Sequence, residues 1–161
     1  MTMILELRDL LDEDLAIFFE QQLDPDANWM AAFTAKDPAD HAAFERHWER
    51  IRSNPQVIIR TILVGGAVAG HVSSYVEDGG PEITYWLGKA FWGRGIASAA
   101  LQSFLDKVNP ARPMRARVAK DNPASLRVLQ KCGFQIIGED RGFAQARGVE
   151  TEEYILTLAA A

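Results

Sequence analysis

The chain has little of what secreted, membrane-bound or metal-binding proteins need. It has a single cysteine, Cys132, so no disulfide can form within the chain. None of its apolar runs approaches the roughly 20 residues of a membrane-spanning helix, and the first residues are acidic where a signal peptide needs a basic flank. His41 and His47 are too widely spaced to place two ligands on one helix face. We therefore predict a cytoplasmic protein without a metal site or a membrane partner.

Size and charge narrow the class of protein further. With 161 residues, 48% hydrophobic and 24% charged, the chain has the composition of one globular domain, which we predict to span residues 1–161. The net charge of -5 argues against general nucleic-acid binding. Residues 1–60 hold 6 basic and 12 acidic side chains, whereas residues 107–131 hold 7 basic and 1 acidic. This asymmetry indicates either ordinary solvated charge, or a basic rim for a polyanionic cofactor opposite an acidic face for a cationic substrate.

Hydrophobic periodicity predicts an α/β domain with a mixed sheet. The expected order is a strand at residues 3–8, a helix, a loop or broken helix near residues 24–38, a second helix, a three-strand meander, a helix, the strand 114–119, a helix, and a final pair of strands, 134–138 and 153–158, around a flexible loop near residues 142–148. Phe44 and Trp48 recur at helical spacing, so we expect them in the core.

A glycine-interrupted segment, Trp92-Gly93-Arg94-Gly95-Ile96-Ala97-Ser98, lies between a strand and a helix. Gly93 and Gly95 can adopt positive φ and leave no side chain in the way, so successive backbone N–H groups can converge on a phosphate at the helix N-terminus. The chain has no P-loop string, and a dinucleotide fingerprint beginning at Gly93 would have Ser98 at its last position. The segment alone is equally typical of a plain turn into a helix.

A second motif decides between these readings. Asn122-Pro123-Ala124-Ser125 opens a helix that ends in Lys131-Cys132-Gly133-Phe134. Together with Gly95-Ile96-Ala97, this pattern resembles the GNAT superfamily of N-acetyltransferases over essentially the whole chain. Residues 82–87 and 91–97 look like the branch that acetylates ribosomal-protein N-termini (RimJ/RimL-like). The resemblance implies a mixed, mostly antiparallel sheet of six to seven strands, splayed between strands 4 and 5 and flanked by about four helices.

The resemblance also implies acetyl-coenzyme A as co-substrate and assigns residues to it. Backbone groups of the fourth strand would pair with the pantetheine amides, and N–H groups of the glycine segment would hold the pyrophosphate. Asn122 would bind the pantetheine or thioester region, and three cationic side chains would lie near the phosphates. The expected cofactor-binding residues are Tyr85, Trp86, Leu87, Gly93, Arg94, Gly95, Ile96, Ala97, Ser98, Asn122, Ser125, Arg127 and Lys131.

Acetyl transfer needs a neutral amine, so a base must remove a proton directly or through water. Glu82 has the position that family members often give to such a glutamate; the alternative is a strand-end surface carboxylate. A backbone N–H near Leu87 would stabilise the oxyanion. Leu129 lies where many members carry a tyrosine that protonates the thiolate. Either the thiolate leaves without that help, or Ser125 takes part. Ser125 would then supply the proton or only orient the sulfur.

The acceptor is less defined. Trp29, Phe33 and His71 are candidates for its pocket, although a structural role suits His71 better. We expect Cys132 to fill apolar space rather than act as a nucleophile. The leading hypothesis is an acetyl-CoA-dependent N-acetyltransferase acting by direct transfer on a small-molecule amine or a peptide N-terminus, as a monomer or homodimer. The alternatives are a non-catalytic acyl-CoA-binding module, or a nucleotide-binding α/β domain.

Overall fold

The computed structural model describes residues 4–160 and contains one seven-stranded mixed sheet. The spatial order is β1-β2-β3-β4-β5-β7-β6. Every neighbouring pair is antiparallel except β4 and β5, which are parallel. The strands are β1 (Leu5–Arg8), β2 (Ile58–Val64), β3 (Ala67–Glu77), β4 (Gly80–Leu87), β5 (Met114–Ala119), β6 (Gln135–Ala144) and β7 (Val149–Leu158). The predicted α/β class and mixed sheet are confirmed; Met3 of the predicted first strand lies outside the described residues.

Within residues 4–160, five α-helices accompany the sheet. They are α1 (Asp14–Gln22), α2 (Pro25–Ala31), α3 (His41–Ser53), α4 (Ile96–Ser103) and α5 (Pro123–Lys131). Of the two alternatives for residues 24–38, a loop or a broken helix, the structure has the second: α2 is a short helix that ends at Ala31, and turns follow it. Asp24 caps α2 by accepting a hydrogen bond from the Asp26 amide, and Pro25 occupies the first turn, where its missing N–H costs nothing.

The two faces of the sheet are covered by different helices. Since side chains alternate along a strand, Val72, Ile83 and Met114 share one face, where they pack with α4 and α5. Phe104 and Leu105, in the π-helical turn that extends α4, are fully buried in the same core. We call this the α4–α5 face. Burying each of these large side chains contributes about 1.5–3 kcal/mol.

The opposite face, which we call the α1–α3 face, has a smaller aromatic cluster. Phe18, Phe44 and Trp48 form it, confirming the last two as core residues. His71 projects from β3 into the same cluster, with ring centroids 4.6 Å from Phe18 and 5.0 Å from Trp48. Burial, followed by the neighbouring His47, lowers the pKa of His71 to about 3, so the ring is neutral near pH 7.

A buried carboxylate fixes α1 to the sheet. The Asp14 side chain is 1% exposed and accepts two hydrogen bonds from Arg8, at 2.7 and 2.9 Å. The Leu11 amide and the Thr61 hydroxyl also donate to it, at 2.9 and 2.7 Å. Burial alone would raise the pKa of Asp14, but these donors outweigh it and lower the pKa to about 2.

The C-terminal hairpin differs from the expected one. β6 and β7 stay paired from Gln135–Thr157 to Ala144–Val149, so the connection is a four-residue turn at 145–148 rather than a loop over 142–148. Gly142 tolerates the extended conformation inside β6, although glycine usually favours a turn. Among the described residues, no helix is long and apolar enough to cross a membrane.

Candidate active site

The parallel strands β4 and β5 separate in the middle of the sheet. They pair only at Glu82 and Arg115, close to the start of each strand, and diverge beyond that point. A cleft of about 610 Å³ occupies the gap. Its two long walls are residues 83–87 of β4 and 116–119 of β5. The splay that the resemblance implies is therefore present.

The walls of this cleft differ from ordinary strand edges. β4 pairs with β3 on its other side, and β5 pairs with β7, so each strand turns its second edge towards the gap. Main-chain N–H and C=O groups along those edges can pair with an extended ligand, as an added strand would. The gap therefore has the shape and chemistry to accept a chain that carries amide groups.

One end of the cleft is the glycine segment that opens α4. Gly93 and Gly95 have φ of +71° and +74°, the left-handed region that glycine tolerates best. A Cβ on either would meet no atom within 4 Å, so the space above them is open. Gly95 is the N-cap of α4 and no side chain caps the helix, which leaves its first N–H groups to face a ligand. Ile96, 1% exposed, anchors the turn in the core.

Two of the three predicted cations line the cleft. Arg127 and Lys131 lie one helical turn apart on α5, and both are exposed. Arg94 is not part of the cleft wall; its guanidinium lies 5.6 Å from the Phe91 ring centroid. Other basic residues of the 107–131 segment are used elsewhere: Lys120, for example, pairs with Glu139 and Glu152 at 2.9 Å. The basic rim is therefore narrower than the sequence indicates.

Asn122 lines the cleft at the N-terminus of α5. Its Oδ1 accepts a hydrogen bond from the Ser125 amide at 3.2 Å, and its Nδ2 donates to the Met30 carbonyl at 3.1 Å. The side chain thus both caps α5 and joins it to α2. The Asn122 backbone carbonyl accepts a hydrogen bond from the Leu126 amide at 3.2 Å.

Two hydroxyls meet inside the cleft. The phenolic oxygen of Tyr85 on β4 lies 2.9 Å from Oγ of Ser125 in the first turn of α5. Burial raises the pKa of Tyr85, outweighing the opposite effect of the Ser125 hydrogen bond, so the phenol keeps its proton. Leu129, one turn further along α5, is 3% exposed and also lines the cleft.

Glu82 lies at the point where the two strands part. It is 5% exposed, and its Oε2 accepts a hydrogen bond from Tyr75 at 2.6 Å. Oε1 lies 3.8 Å from Nε of Arg117, which also pairs with Glu153 at 2.8 Å. Glu82 is not part of the cleft wall, whereas Thr84, the next residue on the same strand face, is exposed and lines it. The carboxylate is thus held just beneath the cleft, and a surface role does not fit it.

The three predicted acceptor residues are dispersed. His71 is packed in the aromatic cluster, away from the cleft wall. Trp29 is 53% exposed, stacks beneath Arg147 at 4.8 Å, and lines a separate depression. Phe33 is 41% exposed and lies outside the cleft wall.

The cleft is also lined by α2, which supplies Ala27, Met30 and Ala31. Sequence reasoning missed these residues, although their i, i+3, i+4 spacing and the Asp24-Pro25 helix start were available signals. Cys132 is buried, and burial raises the pKa of its thiol, as expected of an apolar filler.

The profile of the acetyltransferase (GNAT) domain family matches residues 5–135. The chain belongs to the GNAT family. The matched stretch contains the glycine segment, the splayed strands and α5, so the family motifs and the cleft coincide. The uncharacterized N-acetyltransferase p20 of Bacillus licheniformis is 35% identical over 86 residues, which span 51% of this chain and 48% of that protein. The match therefore reaches about half the length of either chain.

Solved structures confirm the GNAT fold. RimJ of Mycobacterium smegmatis, in complex with CoA-disulfide, has a TM-score of 0.81 at 21% identity, covering 97% of this chain and 82% of its own. The spermidine N-acetyltransferase of Vibrio cholerae, in complex with CoA and spermine, has a TM-score of 0.78 at 16% identity, covering 96% and 95%. At these identities the likeness defines the fold and leaves the branch within the family open.

Proposed function

We propose that the protein transfers the acetyl group of acetyl-CoA to a primary amine by direct attack in a ternary complex. The observation that carries the proposal is the opening of the sheet beyond Glu82 and Arg115, which ends at the uncapped N-terminus of α4. A cofactor with a diphosphate at one end of an amide-containing arm suits both features at once. The RimJ and spermidine acetyltransferase structures, which hold CoA, support this choice.

In this proposal the pantetheine arm runs along the free edge of β4. Backbone groups of Tyr85, Trp86 and Leu87 pair with its two amides. The diphosphate binds the N–H groups of residues 93–98, where the helix dipole favours negative charge. Arg94, Arg127 and Lys131 add long-range attraction, and Asn122 contacts the pantetheine or thioester region.

The same geometry supports an acid–base role for Glu82. An amine in the cleft loses a proton through water, past Thr84, to the buried carboxylate. The amine attacks the thioester carbon, and a backbone N–H near Leu87 stabilises the oxyanion. When the intermediate collapses, the C–S bond breaks and its electron pair goes to sulfur, beside Ser125.

The acceptor in this proposal is a cationic amine: a polyamine or a peptide N-terminus. It enters from the α2 side, between Met30 and Thr84, with Trp29 and Phe33 forming the outer surface. His71 contributes by holding the aromatic cluster beneath β3 and β4. The spermidine N-acetyltransferase, whose structure holds CoA and spermine, supports a polyamine; the peptide N-terminus rests on the RimJ/RimL-like pattern of residues 82–87 and 91–97.

The test is acetyl transfer measured as free CoA thiol over a panel of amines: spermidine, short peptides with free N-termini, and aminoglycosides. We expect CoA release that depends on at least one amine, with the acetylated product identified by mass spectrometry. Cofactor binding without amine-dependent CoA release would instead favour a non-catalytic acyl-CoA-binding module. Tighter binding of ATP or NAD than of CoA in a thermal-shift screen would contradict the cofactor assignment.

A further inference from the structure

The cleft contains a hydroxyl pair that the mechanism above uses only in part. Tyr85 comes from β4 and Ser125 from α5, so the pair joins the two elements that enclose the pantetheine path. The family tyrosine position is occupied by Leu129, which has no proton to donate. We propose that Tyr85 positions Ser125: the Tyr85 O–H donates to Ser125 Oγ and leaves the Ser125 O–H directed at the thioester sulfur. This inference rests on the proposed function.

Relative acidity sets the direction of the hydrogen bond. A phenol is a stronger donor than an aliphatic hydroxyl, so the favoured arrangement has Tyr85 donating and Ser125 accepting. Ser125 already receives its backbone cap from Asn122, which fixes the first turn of α5 and therefore the Cα of Ser125. With Oγ engaged by Tyr85, the remaining freedom of the hydroxyl is the direction of its own hydrogen.

The pair stabilises the leaving group by hydrogen bonding, without net proton transfer. An alkyl thiol such as that of cysteine has a pKa of about 8.5, well below a phenol's pKa of about 10, and burial moves that of Tyr85 further up. Full transfer from phenol to thiolate would therefore be uphill. When the C–S bond breaks, sulfur departs as a thiolate that accepts the Ser125 hydrogen bond, and the amine proton leaves through Glu82 and water. A hydrogen bond to a charged group is worth about 1.5–3 kcal/mol, roughly tenfold or more in rate.

The first test compares Tyr85→Phe, Ser125→Ala and the double variant. We expect Tyr85→Phe and Ser125→Ala each to lower kcat roughly tenfold, with KM for acetyl-CoA within about twofold, and the double variant to lose no more than Ser125→Ala alone. Tyr154→Phe is the matched control, because Tyr154 is a partly buried tyrosine on β7 outside the cleft wall. Its kcat should equal that of the unaltered protein. An unchanged kcat in Tyr85→Phe, or a rise in KM alone, would overturn the inference.

The second test needs no turnover. CoA is bound to each protein and the thiolate absorbance is followed against pH. We expect the thiol of bound CoA to titrate about one pH unit lower in the unaltered protein than in Tyr85→Phe. The Ser125 O–H, directed by Tyr85, donates to the thiolate and so favours the charged form of the sulfur. If no amine is acetylated but this difference remains, the proposed transfer reaction fails, whereas the positioning of Ser125 towards the CoA sulfur by Tyr85 stands. Equal titration in the two proteins, or no CoA binding, contradicts the inference.

Discussion

The two faces of the sheet organise the protein by different physical means. On the α4–α5 face, packing is apolar, and the groups that we propose bind the cofactor are main-chain atoms of a glycine turn, a helix N-terminus and a free strand edge. On the α1–α3 face, buried ionic and aromatic groups predominate, including Asp14 with Arg8 and Glu82 with Arg117.

This difference has a consequence for function. The main-chain donors proposed for the diphosphate all come from one short stretch of sequence, residues 93–98. The proton chemistry assigned to Glu82 depends instead on partners from β3 and β5, which only the folded sheet brings together. Substitutions in the glycine segment should therefore change cofactor affinity, whereas substitutions at the buried ionic groups of the α1–α3 face should change turnover or pH-dependent stability.

The largest effect is expected for Gly95→Glu on the α4–α5 face. The substitution places a negative charge where the diphosphate would bind, and we expect CoA affinity to fall about 100-fold or more, equivalent to at least about 2.7 kcal/mol. Calorimetric titration with CoA measures it. Gly79→Glu is the control, because Gly79 has a similar φ of +78° and equally open space in the β3–β4 turn. Both variants carry the same backbone strain of about 1–2 kcal/mol, so equal CoA affinities would refute the loop assignment.

Glu82→Gln tests the opposite face. We expect kcat to fall about 100-fold, most visibly below neutral pH, with CoA affinity unchanged, because a general base contributes on this scale. Glu153→Gln is the matched control: this carboxylate is also buried and pairs with the same Arg117, but we assign it no proton transfer. Initial rates against pH compare the three proteins. A similar fall in kcat in both variants would show that the lost pairing with Arg117, rather than the loss of a general base, lowers turnover.

Asp14→Asn should destabilise the α1–α3 face without touching the cofactor. Because the pKa of Asp14 falls from 3.8 in the unfolded chain to about 2 in the fold, its ionised form contributes about 2 kcal/mol. That contribution is complete above about pH 4 and disappears as the pH falls towards about 2. Urea unfolding at pH 7 should show a loss of about 2–3 kcal/mol. Asp12→Asn, which removes an exposed pair with Arg52, should be nearly neutral; an equal loss in both would contradict the argument.

A smaller effect concerns His71. The pKa of His71 falls from 6.5 in the unfolded chain to about 3 in the folded protein. Below about pH 6.5 the unfolded chain therefore binds a proton that the folded protein does not bind, and the free energy of unfolding declines as the pH falls. By pH 5 we expect a loss of about 1–2 kcal/mol. His71→Phe should flatten that decline between pH 6.5 and 4.5. In this range Asp14 is largely ionised in both the folded and the unfolded protein, so it contributes little to the decline. His41→Gln, at an exposed position, should leave it unchanged. A decline that persists in His71→Phe would exclude this histidine as its cause.

The sequence was most informative where structure is local. β5 has the predicted bounds, Met114–Ala119, because alternation in a short buried strand is clear. Gly93 and Gly95 have the positive φ expected of them, since few other residues serve such a turn. The resemblance added the splay between β4 and β5, which no local pattern encodes.

Long-range partners account for what sequence reasoning could not supply. Strand register and helix placement determine two contacts that no local pattern predicts. One is the hydrogen bond from Tyr75 to Glu82, and the other is the pairing of Tyr85 with Ser125, 40 positions away. The length of β6 was underestimated because Gly142 resembles a turn residue, whereas pairing with β7 holds it extended. The start of α2 could have been predicted from the Asp24-Pro25 cap, but the turn residues on both sides of the helix favoured a loop equally.

The central claim is that the opening between β4 and β5 holds pantetheine while the start of α4 holds the diphosphate. A crystal structure of the protein with CoA bound tests it most directly. We predict pantetheine amides paired with the main chain of residues 85–87, the diphosphate against the N–H groups of residues 93–98, and the sulfur near Ser125. CoA bound elsewhere, with the gap between the two strands empty, would contradict the account.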